Sequence, residues 1–345
     1  MSAQLAYARQ PDPNVIVLDS KKPDKVIWPI AGGKGGTGKS TLTANLGVGL
    51  SLLGHKVILV DGDLGGADLH LVFDQIAPPK SLGNFLNREV DSLKDILLAT
   101  PNENLKLICG GNEMVGMANL PYLAKEKLIR HIKTLDADYV LIDLGAGSSY
   151  NTLDFFGLSN EGIIVCTPEP HARVDAYGFI KNTVYRKLRR HFAKILHVKE
   201  TIEEFARQAG RKSGKVEELL DLIAQRDLEA GEEARSLLEA YRPKLLLNRV
   251  RNKRQIEEAH RFMGLVKDYL STEMNYIGYV RSDTKILDAC ERRRPLLIES
   301  PRAQASKDLC SVLMNGLQVS DRLHRFSADN NRKITEVAKA EAKFW

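Results

Sequence analysis

Residues 30–46 read IAGGKGGTGKSTLTANL, and the fold turns on them. An apolar run, VIWPIA at 26–31, leads in, and TLTANLGVGLSLLG, with apolar residues at helical spacing, leads out. Between the expected strand and helix, Gly33, Gly38, Lys39 and Ser40 complete the pattern G-x-x-x-x-G-K-[ST]. The glycines let consecutive backbone N–H groups curl around phosphate oxygens, so Gly35, Gly36, Thr37 and Thr41 belong to the binding loop, and the helix N-terminus adds partial positive charge. Lys39 is expected to reach the β- and γ-phosphates of ATP, and Ser40 to hold Mg²⁺. Lys34 is one lysine more than such a loop needs.

Similar apolar runs recur at 56–61, 105–109, 139–143, 162–167 and 244–248. Runs apolar on both alternating faces suit strands covered on both sides of a parallel sheet. Stretches with helical periodicity, such as KEKLIRHIKTL at 125–135, separate most of them. The expectation is an α/β fold: a doubly wound, mostly parallel sheet with helices on both faces, and the chemistry at the carboxyl ends of its strands.

Residues 1–24 read as a flexible N-terminal arm, 25–320 as the P-loop ATPase domain and 321–345 as a C-terminal helical tail. Within the domain, 198–242 is densely charged and far longer than a crossover helix needs, so it reads as a helical insertion. Its segment FARQAGRKSGKVEELLDLI, at 205–223, has a helix, glycine, helix rhythm. A helical hairpin explains that rhythm, and a DNA-reading helix-turn-helix is the alternative.

The chain has 345 residues, a formal net charge of +6 and four cysteines. Cys109, Cys166, Cys290 and Cys310 form no Cys-x-x-Cys pair, so neither a zinc site nor a disulfide framework is suggested, and buried reduced thiols are expected. No run approaches the roughly 20 apolar residues of a membrane span, and the N-terminus lacks the apolar core of a signal peptide, so a cytoplasmic protein is expected. Basic clusters stand at 186–194, 249–254 and 292–294. No aromatics interleave with them as a nucleic-acid stacking platform would require, so they read as solvated faces, with phosphate contact open to each.

The string K-G-G-T-G-K-S-T resembles the deviant Walker A motif of the MinD/ParA group of ATPases. In that family the first lysine, here Lys34, reaches across a dimer interface onto the partner's nucleotide. The resemblance therefore implies a homodimer when ATP is bound, with Lys34, Lys39 and Asp63 as catalytic residues. VDGDLGGADLH looks like the family's first switch, which places Asp61 near the Mg²⁺ shell and gives Asp63 the attacking water to orient. LIDLGAG resembles the Walker B strand and second switch, so Asp143 would bind the Mg²⁺ shell and the backbone N–H of Gly147 would meet the γ-phosphate. LLLNRV sets Asn248 on the purine ring, where a side-chain amide offers donor and acceptor together, with Arg249 covering the base. GYVRSDTKILDA matches the segment around the far side of the purine, with Ser282 and Asp283 as adenine contacts. Val280 and Arg281 stand where relatives usually carry a proline.

No late Cys-x-x-Cys or paired cluster cysteines match the family's iron–sulfur members, and no tyrosine-rich tail matches its kinases. DLGGADLH, DLGAGSSYNTLDFF and TPEPHARVDAYGFIKN most resemble the FlhG branch, MinD-like ATPases that set the number and position of flagella. This implies an ATP-driven switch that acts on a protein partner. The alternatives are a ParA-like partitioning ATPase on nonspecific DNA and an amidoligase-like biosynthetic enzyme. In the tail, Ile334, Val337, Ala338 and Ala342 form a thin apolar stripe flanked by lysines, which offers peripheral membrane contact. The other reading is a helix whose end packs on the domain.

Overall fold

The computed structural model describes residues 25–111, 120–209 and 214–320, with 338, 339 and 342. The expected arm therefore lies outside the described residues, with all of the tail but three positions.

The first half of the chain runs β1 (Val26–Ala31), α1 (Lys39–Leu52), β2 (Val57–Gly62), α2 (Leu82–Leu86), β3 (Leu98–Ala99), β4 (Leu105–Ile108), α3 (Tyr122–Thr134), β5 (Tyr139–Leu144) and α4 (Tyr150–Phe156). It continues through β6 (Ile163–Cys166), α5 (Pro170–His191), α6 (Leu196–Ala209), α7 (Val216–Arg226), α8 (Leu228–Glu239), β7 (Lys244–Val250) and α9 (Lys253–Leu270). β8 (Asn275–Arg281), α10 (Lys285–Glu291), α11 (Leu296–Glu299) and α12 (Gln304–Ser311) complete it.

The strands form one sheet in the order β3-β4-β2-β5-β1-β6-β7-β8, parallel except for the short β3. Alternate residues feed opposite cores, as the apolar runs require. Ile58 and Val60 join the core under α3, α4, α5 and α9, whereas Val57 and Leu59 join the one under α1, α11 and α12. Chain order reverses direction at β1, which lies between β5 and β6. Ligands of open α/β sheets bind at the carboxyl ends beside such a switch point.

All six expected runs are strands. β8 was not anticipated: it is an edge strand, half-exposed along its length, and Gly278 at φ 120 interrupts its alternation. Between β6 and β7, α5 is followed by three further helices, whose Val198, Ile202, Leu219, Ile223 and Leu238 join the core under α5. Gly231 makes the α7–α8 crossing close, because a Cβ there would lie 2.4 Å from that of Ala224.

Candidate nucleotide site

The loop between β1 and α1 is shaped for an anion. Gly36 and Gly38 adopt φ 74 and 88, a region closed to most L side chains. Gly38 is the N-cap of α1, and no side chain caps the helix, so its first N–H groups are left for a ligand. Gly33 packs against α5 so tightly that a Cβ would come within 2.2 Å of the backbone of Asp175. Thr37 is buried, and its Oγ1 has no hydrogen-bond partner among the described residues. An orphaned hydroxyl in a cradle of free N–H groups fits a phosphate-bearing ligand.

The two lysines of the loop differ. Lys39 is 8% exposed, its side chain lying close to the loop at Gly32, where a Cβ would come 3.3 Å from Lys39 Cδ. Lys34 is exposed and makes no ion pair among the described residues.

Two carboxylates lie side by side at the carboxyl ends of β2 and β5, where Asp61 and Asp143 are register partners, both buried. Burial, and then the charge of Asp61, push the Asp143 carboxyl up to about 8. Burial also raises Asp61, against a contact from His70, whose Nδ1 is 4.0 Å from Oδ2. The Ser40 hydroxyl bonds Asp143, and Thr43 donates to its Oδ1 at 3.2 Å. Paired buried carboxylates that resist ionising, ringed by hydroxyls, are short of positive charge, and their oxygens suit Mg²⁺. Ser40, Asp61 and Asp143 would hold such an ion. Asp61 accepts the N–H of Asp63 at 3.3 Å on one oxygen and of Leu69 at 3.1 Å on the other, which anchors the loop that carries Asp63 and leaves each oxygen a further lone pair.

The two switch-like loops touch. Gly145 lies against Asp63, where a Cβ would come 2.9 Å from Oδ1. Gly147 takes φ 83 with open space around it, which leaves its backbone accessible.

At the base end, Asn248 has an engagement the sequence did not suggest. Its Nδ2 donates to the Thr37 carbonyl at 2.8 Å and its Oδ1 accepts the Arg249 N–H at 2.9 Å, so the amide braces the phosphate loop. One N–H remains for a base. Arg249 is exposed at φ 59. Asp283 accepts from the backbone N–H of Lys285 at 3.0 Å and of Ala305 at 3.1 Å, which fixes α10 against α12. Ser282 is exposed beside it. Arg281 is held to Asp308 by its own backbone N–H and Nε, each at 2.9 Å.

Thr43, Gly145 and His70 were missed by the sequence reading. Thr43 was legible as one helical turn past Lys39, whereas Gly145 and His70 acquire their neighbours only from the strand register. Cys290 corrects another expectation: Cys109, Cys166 and Cys310 are buried thiols, but Cys290 is exposed, its Sγ 3.9 Å from the Thr41 hydroxyl.

Most of the basic clusters are spent inside the chain. Arg186 and Arg190 bind Asp154, Arg189 binds Glu203, and Arg292 and Arg294 share Glu299. The cluster at 249–254 keeps its charges exposed. On α7, Glu217 and Asp221 face outward and pair with Arg235 of α8. A recognition helix with carboxylates on its outer face repels DNA phosphates, which weighs against the helix-turn-helix alternative. Two positions of the tail stripe, Ala338 and Ala342, pack on the core under α1, and Arg294 donates to the Ala342 carbonyl at 2.8 Å. No helix among the described residues is long and apolar enough to cross a membrane.

A P-loop at the switch point of a doubly wound sheet, with buried carboxylates on β5 beside it and on β2 beyond, defines a nucleotide-binding α/β protein. The family described as the CobQ/CobB/MinD/ParA nucleotide binding domain matches residues 28–296, and the chain belongs to it. Among curated relatives, the antiactivator FleN of Pseudomonas aeruginosa is 29% identical over 166 residues, 48% of this chain and 58% of that protein. The flagellum site-determining protein YlxH of Helicobacter pylori is 32% identical over 180 residues, 48% and 55% of the two chains. The chain thus spans little more than half the length of these relatives. Among solved structures, the septum site-determining protein MinD of Pyrococcus horikoshii, complexed with Mg-ADP, superposes with a TM-score of 0.57 at 21% identity, covering 84% of this chain and 94% of that one. A ParA family ATPase of Chlorobium tepidum gives 0.55 at 17%, covering 83% and 97%. These two likenesses concern the fold.

Proposed function

We propose that this chain is a slow, Mg²⁺-dependent ATPase that dimerises on ATP and acts as a switch for the placement or number of a cellular structure, flagella or the division site. The observation that carries the reading is that Lys34 is exposed, without an ion pair among the described residues, in a loop whose other lysine is buried. A cation in that position is available to a facing subunit.

Lys39 and the α1 N-terminus hold the β- and γ-phosphates, and Mg²⁺, which Ser40, Asp61 and Asp143 would hold, would supply neutralisation of charge on the phosphates. Asp63, steadied by Asp61 and close to Gly145, accepts a hydrogen bond from the attacking water and aligns it. The Gly147 N–H meets the γ-phosphate while that group is present, so the loop reports the nucleotide state. Lys34 of a second copy completes the site as a cation supplied in trans, stabilising transition-state charge. Hydrolysis then requires dimerisation. The flagellar and septum-site roles named for the relatives support a positioning function, and a protein partner would be its target.

The test is phosphate release per subunit against protein concentration, with light scattering on the same samples. Release per subunit should rise with the dimer fraction, and the dimer should require ATP. A monomer that hydrolyses at a concentration-independent rate would sink the proposal.

Nonspecific DNA binding is the second reading, favoured by the exposed cluster at 249–254. An ATP-dependent, salt-sensitive gel shift on arbitrary duplex would establish it.

A further inference from the structure

A cavity of about 330 Å³ lies between the later turns of α3, α4 and α5, with Leu237 of α8 on its wall. All three helices start at the carboxyl edge of the sheet and run back along it, so the cavity lies towards the opposite edge from the phosphate loop. Its charges do not balance. Lys133, Arg186, Lys187 and Arg190 line it against two carboxylates, Glu126 and Asp154. Lys125, Arg186 and Arg190 already bind Asp154, Arg190 also takes Glu126 at 2.9 Å, and His191 has Glu233 at 2.6 Å. Helix ends account for part of the remaining charge, because Lys133 and Arg190 stand in the last turns of α3 and α5, where partial negative charge gathers. Lys187 is different. It sits a turn further inside α5, half-buried and with no ion pair among the described residues. Its Nζ donates to the Asn160 Oδ1 at 2.8 Å and stands 4.9 Å from the centre of the Tyr241 ring, and burial lowers its pKa. A cation drawn out of water without a counter-charge is a cost that the fold leaves uncompensated.

We propose that this cavity binds a small phosphate-bearing anion, held by the ammonium groups of Lys187 and Lys133 with Arg190 beside them. The unmatched cations select the sign of the ligand, and size and geometry select its class. A volume of about 330 Å³ is at the lower end for small-molecule sites, which suits one compact molecule. Lysines meet phosphate as point charges, without the planar fork that an arginine–carboxylate pair uses, and a tetrahedral group can accept from α3 and α5 at once. Leu153, Leu158 and Leu237 on the walls lower the local dielectric, which strengthens such a pairing. Inorganic phosphate and a phosphate monoester share this chemistry. Binding here does not depend on the ATPase reading.

The test titrates the full chain by calorimetry with inorganic phosphate and, separately, with glycerol 3-phosphate. Ionic strength is held constant, and Mg-ADP is kept in excess to fill the nucleotide loop. At least one of the two anions should bind with a Kd of about 1 mM or tighter, and the tighter one says whether the site serves free phosphate or a monoester. Lys187→Met and Lys133→Met should each weaken binding about tenfold. The bound anion should raise the melting temperature of the unaltered chain and leave that of Lys187→Met unmoved. Without the anion, Lys187→Met should melt no lower than the unaltered chain, since it removes an unpaired half-buried charge, and this verifies its folding. Weaker binding by both anions, or binding that Lys187→Met retains in full, overturns the proposal.

Discussion

The carboxyl edge of the sheet and the three-helix insertion beyond α5 are held together in opposite ways. At the edge, polar groups are left wanting among the described residues: an α1 with no side-chain cap, a Thr37 hydroxyl and a Lys34 without a partner there, and an Asp143 that resists ionising. In the insertion, charges are matched within the chain, as Arg189 is with Glu203 and Arg235 with Glu217 and Asp221. Groups left unsatisfied by the fold are placed for something the fold does not contain. Groups already satisfied are spent on structure. The difference separates the part of the molecule that does chemistry from the part that frames it.

The sharpest way to break this contrast is at Asp63. Asp63→Ala should lower phosphate release by about a hundredfold or more while ATP-dependent dimerisation, read by light scattering, persists. Loss of the dimer as well would make Asp63 a framing residue.

The next effect concerns stability. Asp154, in the helix after the second switch-like loop, is fully buried and bound by Lys125, Arg186 and Arg190. Burial alone would raise its pKa, but Arg186 and Lys125 outweigh it and hold the carboxyl at about 2, against an ordinary 3.8. Asp154→Asn leaves buried Lys125 and half-buried Arg186 unbalanced, while Arg190 keeps Glu126 at 2.9 Å, and should cost about 3–5 kcal/mol in denaturant unfolding. Because the folded pKa is depressed, the charge of Asp154 stabilises fully above about pH 4 and loses that effect as pH falls towards about 2. The melting-temperature gap between the two proteins should therefore be widest above pH 4 and close below it.

Gly145→Ala is a subtler probe. A Cβ at that position presses on the Asp63 carboxylate, so hydrolysis should fall about tenfold, a misplacement effect, with nucleotide affinity measured by calorimetry unchanged. The smallest effect belongs to the insertion. Glu217→Gln removes an exposed ion pair with Arg235 and should shift stability by no more than about 1 kcal/mol, without altering phosphate release.

Legibility from sequence follows the same division. The glycine-rich stretch at 30–46 carries its own context, and the apolar runs marked six strands because both their faces are buried. β8 escaped because one side of an edge strand is wet, and β3 because two residues hold no period. The Asp154 cluster draws on α3, α4 and α5, and no local pattern links positions 125, 154 and 186. Asn248 was legible as a residue past a strand end, but its bond to Thr37 depends on β7 lying two strands from β1. The cavity around Lys187 exists only after the sheet sets α3, α4 and α5 side by side.

The central claim is that Lys34 acts on a neighbouring subunit, and mixing two variants tests it most directly. Lys34→Ala and Asp63→Ala should each bind ATP and release almost no phosphate. In a mixed dimer, the Lys34→Ala subunit keeps its own Asp63 and receives Lys34 from its partner, so that one site is complete. The account predicts that an equimolar mixture recovers hydrolysis that neither variant shows alone. A mixture as inactive as its components, or a Lys34→Ala chain that hydrolyses at the unaltered rate by itself, would contradict it.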